Sequence, residues 1–188
     1  MRVLQNQIMK ILKNPKTVNY KQLKSLVLSE NFPWHKNVSL YKVMPGCPDN
    51  HTFMSHTFLA RPTDQMRYST VQSNAIDLCY RVFMEIFEFN QMGIKCIYRM
   101  NANKTYPDSG NGDKCAQMHV DHSWNHNNIL IYLTNAGGKT IVPRIGKSRF
   151  ISRSHNPKED DIMQFGGSFH THEYPKRNPR VVLVGTYI

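Results

Sequence analysis

Apolar positions along this chain change their spacing near residue 90. Before it, two stretches carry them at helical intervals. In "NYKQLKSLVLSE" (19–30), Leu23, Val27 and Leu28 stand among polar residues, which predicts a short amphipathic helix. The following "NFPWHKN" (31–37) closes it, because a proline disfavours helical geometry at the residue before it. Over 70–89, "TVQSNAIDLCYRVFMEIFEF", the residues Ile76, Leu78, Cys79, Val82, Phe83, Ile86 and Phe87 mark one wide apolar face, and a second helix is expected there. Between the two, "CPDNHTFMSHTFLARP" (47–62) alternates around Phe53 and Phe58 and reads as an edge strand between loops.

Beyond residue 90 the runs become short and rich in β-branched and aromatic residues. They are "IKCIYRMNA" (94–102), "AQMHVDH" (116–122), "NILIYLT" (128–134), "KTIV" (139–142), "DIMQF" (161–165) and "RVVLVGTYI" (180–188). Turn-forming stretches such as "YPDSGNGD" (106–113) and "NAGG" (135–138) separate them. The expected class is α+β: a helix-rich support region over 1–90 and a β core over 94–188 that closes as a sandwich or barrel. No linker divides the chain, so 1–188 reads as a single domain.

Composition narrows the picture. At 188 residues with 40% apolar and 11% aromatic content, the chain can bury a real core. No stretch has the apolar length of a membrane span, and "MRVLQNQIMKILKN" lacks the features of a signal peptide. Cys47, Cys79, Cys96 and Cys115 are scattered without CxxC pairing, which argues against a zinc knuckle and for reduced thiols in a cytoplasmic setting. Charge adds more: 24 basic against 13 acidic residues, a net +11, favour polyanionic partners such as nucleic acid. One concentrated stretch, "VPRIGKSRFISRSHNPK" (142–158), carries Arg144, Lys147, Arg149, Arg153 and Lys158 with no acid before Glu159. It reads as a flexible basic segment, either tracking a phosphate backbone or simply solvated.

The densest chemistry lies in "QMHVDHSWNHN" (117–127), three histidines and one aspartate in eleven positions. On a strand, His119 and Asp121 share one face because side chains alternate with period two. An H-x-D pair offers an imidazole and a carboxylate. With a second imidazole from elsewhere it forms the two-histidine, one-carboxylate set that leaves three positions open on an octahedral metal. Alone, the pair is equally a hydrogen-bonded His–Asp couple within a sheet. His122 has the opposite parity, and it and His126 fall to loop, surface or supporting roles.

Downstream come "LIYLTNAGGKTIVP" and "KEDDIMQFGGSFHTHEYPKRNPRVVLVGTYI", in which His170 precedes Arg180 by ten residues. With the H-x-D, this order resembles the Fe(II)/2-oxoglutarate-dependent oxygenases. "ENFPWHK", "FMSHTF" and "YRMNANKTYP" look like the short members of that superfamily found in phage genomes. The resemblance implies a double-stranded β-helix of jelly-roll or cupin-like type, with the N-terminal helices packed on one sheet. It implies Fe(II) held by His119, Asp121 and His170, and 2-oxoglutarate held by Arg180 with Tyr132 and Tyr98 as further cosubstrate contacts. O₂ would be the third partner, and a C–H bond would be hydroxylated or oxidatively demethylated with release of succinate and CO₂. Within the resemblance His172 competes with His170, whose parity it shares, although the spacing favours His170. Arg177 in the "PKRNP" turn is likewise a weaker alternative to Arg180. Trp124, just after the H-x-D, could stack on substrate, and Arg99, Asn101 and Asn103 could reach substrate or cosubstrate. A nucleic acid or a protein side chain would serve as substrate. Two other classes compete: a non-catalytic jelly-roll module that binds an anion, and a hydrolytic nuclease using a divalent metal. Neither needs a distal histidine paired with an arginine ten residues on.

Overall fold

The computed structural model describes residues 9–38, 52–107, 115–145 and 150–188. In chain order its elements are β1 (Lys10–Leu12), α1 (Val18–Leu28), β2 (His35–Val38), β3 (Thr52–Ala60), β4 (Thr70–Val71) and α2 (Ile76–Phe89). Then follow β5 (Ile97–Thr105), β6 (Asn127–Tyr132), β7 (Thr140–Ile145), β8 (Phe150–His155), β9 (Ile162–Gly166), β10 (Thr171–His172) and β11 (Arg180–Tyr187). The class is mixed and dominated by β-sheet. Among the described residues, four strands share the first ninety positions with the helices, so this region is less helix-rich than its periodicity implied.

Both helices fall where their apolar faces predict. Thr17 caps α1 by accepting the Tyr20 N–H at 3.1 Å, and the helix buries Tyr20, Leu23 and Val27. α2 buries Cys79, Val82, Phe83, Ile86 and Phe87 and begins at Ile76, the first residue of its apolar face and six residues into the 70–89 stretch. Thr70 and Val71 pair instead with β3, and Ser73 turns the chain, its carbonyl and hydroxyl accepting the N–H groups of Ile76 and Ala75.

Eight strands form one antiparallel sheet in the order β1-β9-β6-β11-β5-β3-β2, with β4 attached to β3; a second sheet runs β10-β7-β8. Three expectations change here. β3 is interior rather than an edge, flanked by β2 and β5, because its partners come from distant sequence; residues 47–51, with Cys47, lie outside the described residues. The stretch 116–122 forms no strand: His119 makes one isolated bridge to His170, and Asp121 lies in a bend. The basic stretch 142–158 is not a free segment, since β7 and β8 pair in register from Thr140↔His155 to Ile145↔Phe150. Lys147 and Arg149 lie outside the described residues.

Strand parity divides the large sheet into two apolar faces. Ile129, Ile131, Leu133, Val181, Leu183 and Tyr187 share a cluster with the buried residues of α1 and α2. Leu130, Tyr132, Met163, Phe165, Val182 and Val184 form a second cluster on the other parity, joined by Val142 of the small sheet. All eight residues of β11 are therefore buried, which is why "RVVLVGTY" shows no alternation. Among the described residues, no helix is long and apolar enough to cross a membrane.

Candidate metal centre

The isolated bridge brings the two halves of the site together. His119 and His170 donate backbone N–H groups to each other's carbonyls, both at 3.0 Å. Cross-strand pairing places their side chains on one side, with ring centroids 4.4 Å apart. Asp121 follows on the bend, its Oδ2 3.5 Å from His170 Nε2. One donor atom from each of His119, Asp121 and His170 lies within 4.8 Å of the others. His172 is not in this group; it packs edge-on against Tyr174 at 6.2 Å.

Each imidazole is oriented by the same local device. His119 Nδ1 lies 3.0 Å from the Gln117 carbonyl, and His170 Nδ1 lies 3.0 Å from the Ser168 carbonyl. A carbonyl only accepts, so Nδ1 carries the proton and Nε2 keeps its lone pair. Burial, partly offset by Asp121, lowers the His170 pKa to about 4, so the ring is neutral near pH 7.

Asp121 is buried, which pushes its pKa up. The Arg99 guanidinium, and then the neighbouring histidines, outweigh burial and hold it at about 2. Arg99 Nη1 meets Oδ1 at 2.8 Å, so one carboxylate oxygen is engaged and Oδ2 faces the histidines. Arg61 Nη1 donates to the Asp121 backbone carbonyl at 2.5 Å. Two imidazoles, that of His170 buried and that of His119 half-buried, and an ionised carboxylate form a donor set that suits a divalent first-row metal.

The other two histidines of the 117–127 stretch have partners of their own. His122 is buried, its Nε2 2.7 Å from Thr186 Oγ1 and its ring stacked 4.5 Å from Trp124. His126 places Nδ1 2.8 Å from the Trp124 carbonyl, and its ring rests on Gly167, where a Cβ would lie 2.5 Å from it. Loop, surface or supporting roles are what strand parity left to His122; it lies outside the three-donor group and is buried.

A second polar group sits across the inner apolar cluster. Arg180 is buried, its Nη2 donating to Thr140 Oγ1 at 3.1 Å and its guanidinium 5.3 Å from the Tyr132 ring centre. The Tyr132 hydroxyl is 2.8 Å from the same Thr140 oxygen. Arg180 Nε has no partner, and no carboxylate pairs with the guanidinium among the described residues. Phe165 touches His170 at one end of the cluster and Tyr132 touches Arg180 at the other. Register pairs Arg180, Val182, Val184 and Thr186 with Thr105, Asn103, Asn101 and Arg99, so all eight point to this face. Arg177 lies outside the cluster, in an exposed bend.

Tyr98 falls at the opposite end of β5 from the Arg180 row, where the register skips it. It contacts His122 and Trp124 at 6.2 and 6.1 Å, not the Tyr132–Arg180 group. Sequence reasoning missed Arg61 and Thr140, which no motif signals: Arg61 meets Asp121 across 60 residues and Thr140 meets Arg180 across 40.

No protein-family model matches the chain, and no curated protein matches it by sequence. Solved structures do match by fold. A 2OG-Fe(II) oxygenase-family oxidoreductase from Burkholderia pseudomallei aligns with TM-score 0.63 at 16% identity, over 96% of this chain and 84% of that one. A Trichoplax adhaerens prolyl hydroxylase, solved with a hypoxia-inducible-factor peptide, aligns with TM-score 0.57 at 13% identity over 96% and 83%. The non-haem alpha-ketoglutarate-dependent epimerase SnoN of nogalamycin biosynthesis aligns with TM-score 0.59 at 10% identity over 97% and 77%. The chain shares the fold of these three solved structures.

Proposed function

We propose that the protein is an Fe(II)- and 2-oxoglutarate-dependent dioxygenase. One juxtaposition carries the reading: a His–Asp–His donor set and a buried arginine with no carboxylate partner border the same apolar cluster. A buried cation is costly unless paired, so the chemistry of the buried Arg180 guanidinium suits an anionic ligand. A dicarboxylate that chelates the metal at one end would place its far carboxylate there.

In this reading His119 Nε2, Asp121 Oδ2 and His170 Nε2 hold the iron. Arg180 binds the distal carboxylate through its planar fork, and Tyr132 with Thr140 fixes the guanidinium. Arg99 keeps Asp121 ionised and turned to the metal. Val142, Met163, Phe165, Val182 and Val184 exclude water between the two ends. When bound, iron and cosubstrate would supply O₂-dependent oxidation of a substrate C–H bond, giving a hydroxylated or demethylated product with succinate and CO₂. Tyr98 is reassigned from the cosubstrate to the substrate side, where it meets Trp124.

The same reading makes 1–188 one domain and the facing sheets a double-stranded β-helix, with α1 and α2 outside. A cytoplasmic location accords with the free thiols of Cys79 and Cys96. An anaerobic titration with Fe(II) and then 2-oxoglutarate tests it. A visible metal-to-ligand charge-transfer band is expected; its absence in folded protein overturns the proposal.

A further inference from the structure

Trp124 lies three residues after Asp121 and keeps 40% of its surface exposed. It is nevertheless a held side chain. His122, buried and anchored on Thr186, stacks on it at 4.5 Å with the planes only 18° apart. Tyr98 meets it at 6.1 Å and 77°, an edge contact. An indole fixed against one ring and flanked by a second presents a preformed platform, with little rotamer freedom left to lose on binding.

The charge beside this platform is predominantly positive. The loop 61–69, "RPTDQMRYS", is pinned at both ends to the metal neighbourhood: Arg61 donates to the Asp121 carbonyl, and Ser69 Oγ donates to the Tyr98 carbonyl at 2.8 Å. Between those anchors stand Arg67 and Tyr68, both exposed, with Asp64 the single acid of the loop. Strand β5 adds Arg99 at its Tyr98 end and carries no acid; Lys104, at its other end, lies over Trp34 and Tyr106. Asp121, the acid of the 115–134 stretch, is already held by Arg99.

We propose that the substrate presented to this centre is a nucleobase carrying phosphate, stacked on Trp124 with its phosphate drawn to Arg67. The proposal rests on the oxygenase reading for what happens afterwards, but not for binding itself. A planar heteroaromatic ring matches the indole face, and an anionic appendage matches the cations and the net charge of +11. A neutral peptide would match the indole and make no use of the exposed Arg67 cation. The base must be unpaired to lie flat on the platform, so a single strand or a free nucleotide fits and an intact duplex does not.

The test is fluorescence anisotropy of short labelled single-stranded DNA and RNA with the full chain at low salt, without iron or cosubstrate. Trp124→Ala is expected to weaken binding at least about five-fold, as loss of a base–aromatic stack does elsewhere, while Trp124→Phe restores most of it. Arg67→Ala is expected to flatten the salt dependence. Polyphosphate, which has charge and no base, is expected to bind equally to wild type and Trp124→Ala. A nucleoside monophosphate competing as well as the strand identifies a free nucleotide as the source; weaker competition identifies the strand. Unchanged oligonucleotide affinity in Trp124→Ala, or binding of an uncharged peptide in place of the oligonucleotide, overturns the proposal. A charge-transfer band without nucleobase binding defeats this inference alone, and binding without the band defeats the oxygenase reading alone.

Discussion

His119 and His170, fifty-one positions apart, hold one another in place by exchanging two 3.0 Å backbone hydrogen bonds across a single bridge. Their rings are thereby paired, and each Nδ1 is committed to a carbonyl two residues upstream. Removal of either imidazole leaves two donors, too few for a stable site. We expect His119→Ala and His170→Ala to abolish the iron–cosubstrate charge-transfer band and His172→Ala to retain it, read by the same anaerobic titration.

Arg180 separates binding of the cosubstrate from binding of iron. In Arg180→Met the distal carboxylate loses a buried, charge-assisted partner, so half-saturation by 2-oxoglutarate should rise by about two orders of magnitude. Iron affinity should be unchanged. Stability of the cosubstrate-free protein should not fall, because the substitution removes a buried cation that has no carboxylate partner. Calorimetric titration and thermal melts check the two halves.

Acid should destabilise the metal-free protein in two successive windows. Burial lowers the His170 and His122 pKa values from 6.5 to about 4, so the unfolded chain binds their protons first. Stability is then present above pH 6.5 and lost as pH falls towards 4. Asp121, held at about 2, loses its contribution below pH 4 as pH falls through that value. Melting temperatures from pH 7 to 4 should decline, and His122→Asn should shallow the decline.

Arg99→Leu probes the carboxylate directly. Without the guanidinium 2.8 Å away, burial governs Asp121 and its pKa moves up. Iron affinity at neutral pH should fall about 10- to 100-fold, the range seen when a ligand's outer partner is lost. A competition assay with a coloured chelator measures it.

Gly185 marks where α2 meets the sheet. A Cβ there would lie 2.5 Å from Phe83 and 2.9 Å from Ile129, both fully buried. Gly185→Ala should cost about 1–3 kcal/mol by overpacking, measured by denaturant unfolding. The metal centre, on the opposite face of β11, should keep its band in the folded fraction.

Periodicity alone located both helices and most of the later strands, because an amphipathic face or a β-rich run is written locally in residues such as Val82, Phe83, Ile129 and Val182. Motif order likewise singled out His119, Asp121, His170, Arg180 and Tyr132, whose chemistry is legible wherever they fold. Pairing was not legible. β3 became interior, 142–158 became part of a hairpin, and 116–122 formed a bridge and a bend, since strand neighbours are chosen by long-range hydrogen bonds. Arg99 against Asp121, Thr140 between Tyr132 and Arg180, and His122 beneath Trp124 likewise arise only when distant segments meet. A single sequence records which side chains can bind, ionise or stack. Which of them share a face is decided by the register of strands far apart in the chain, and that register belongs to the tertiary structure.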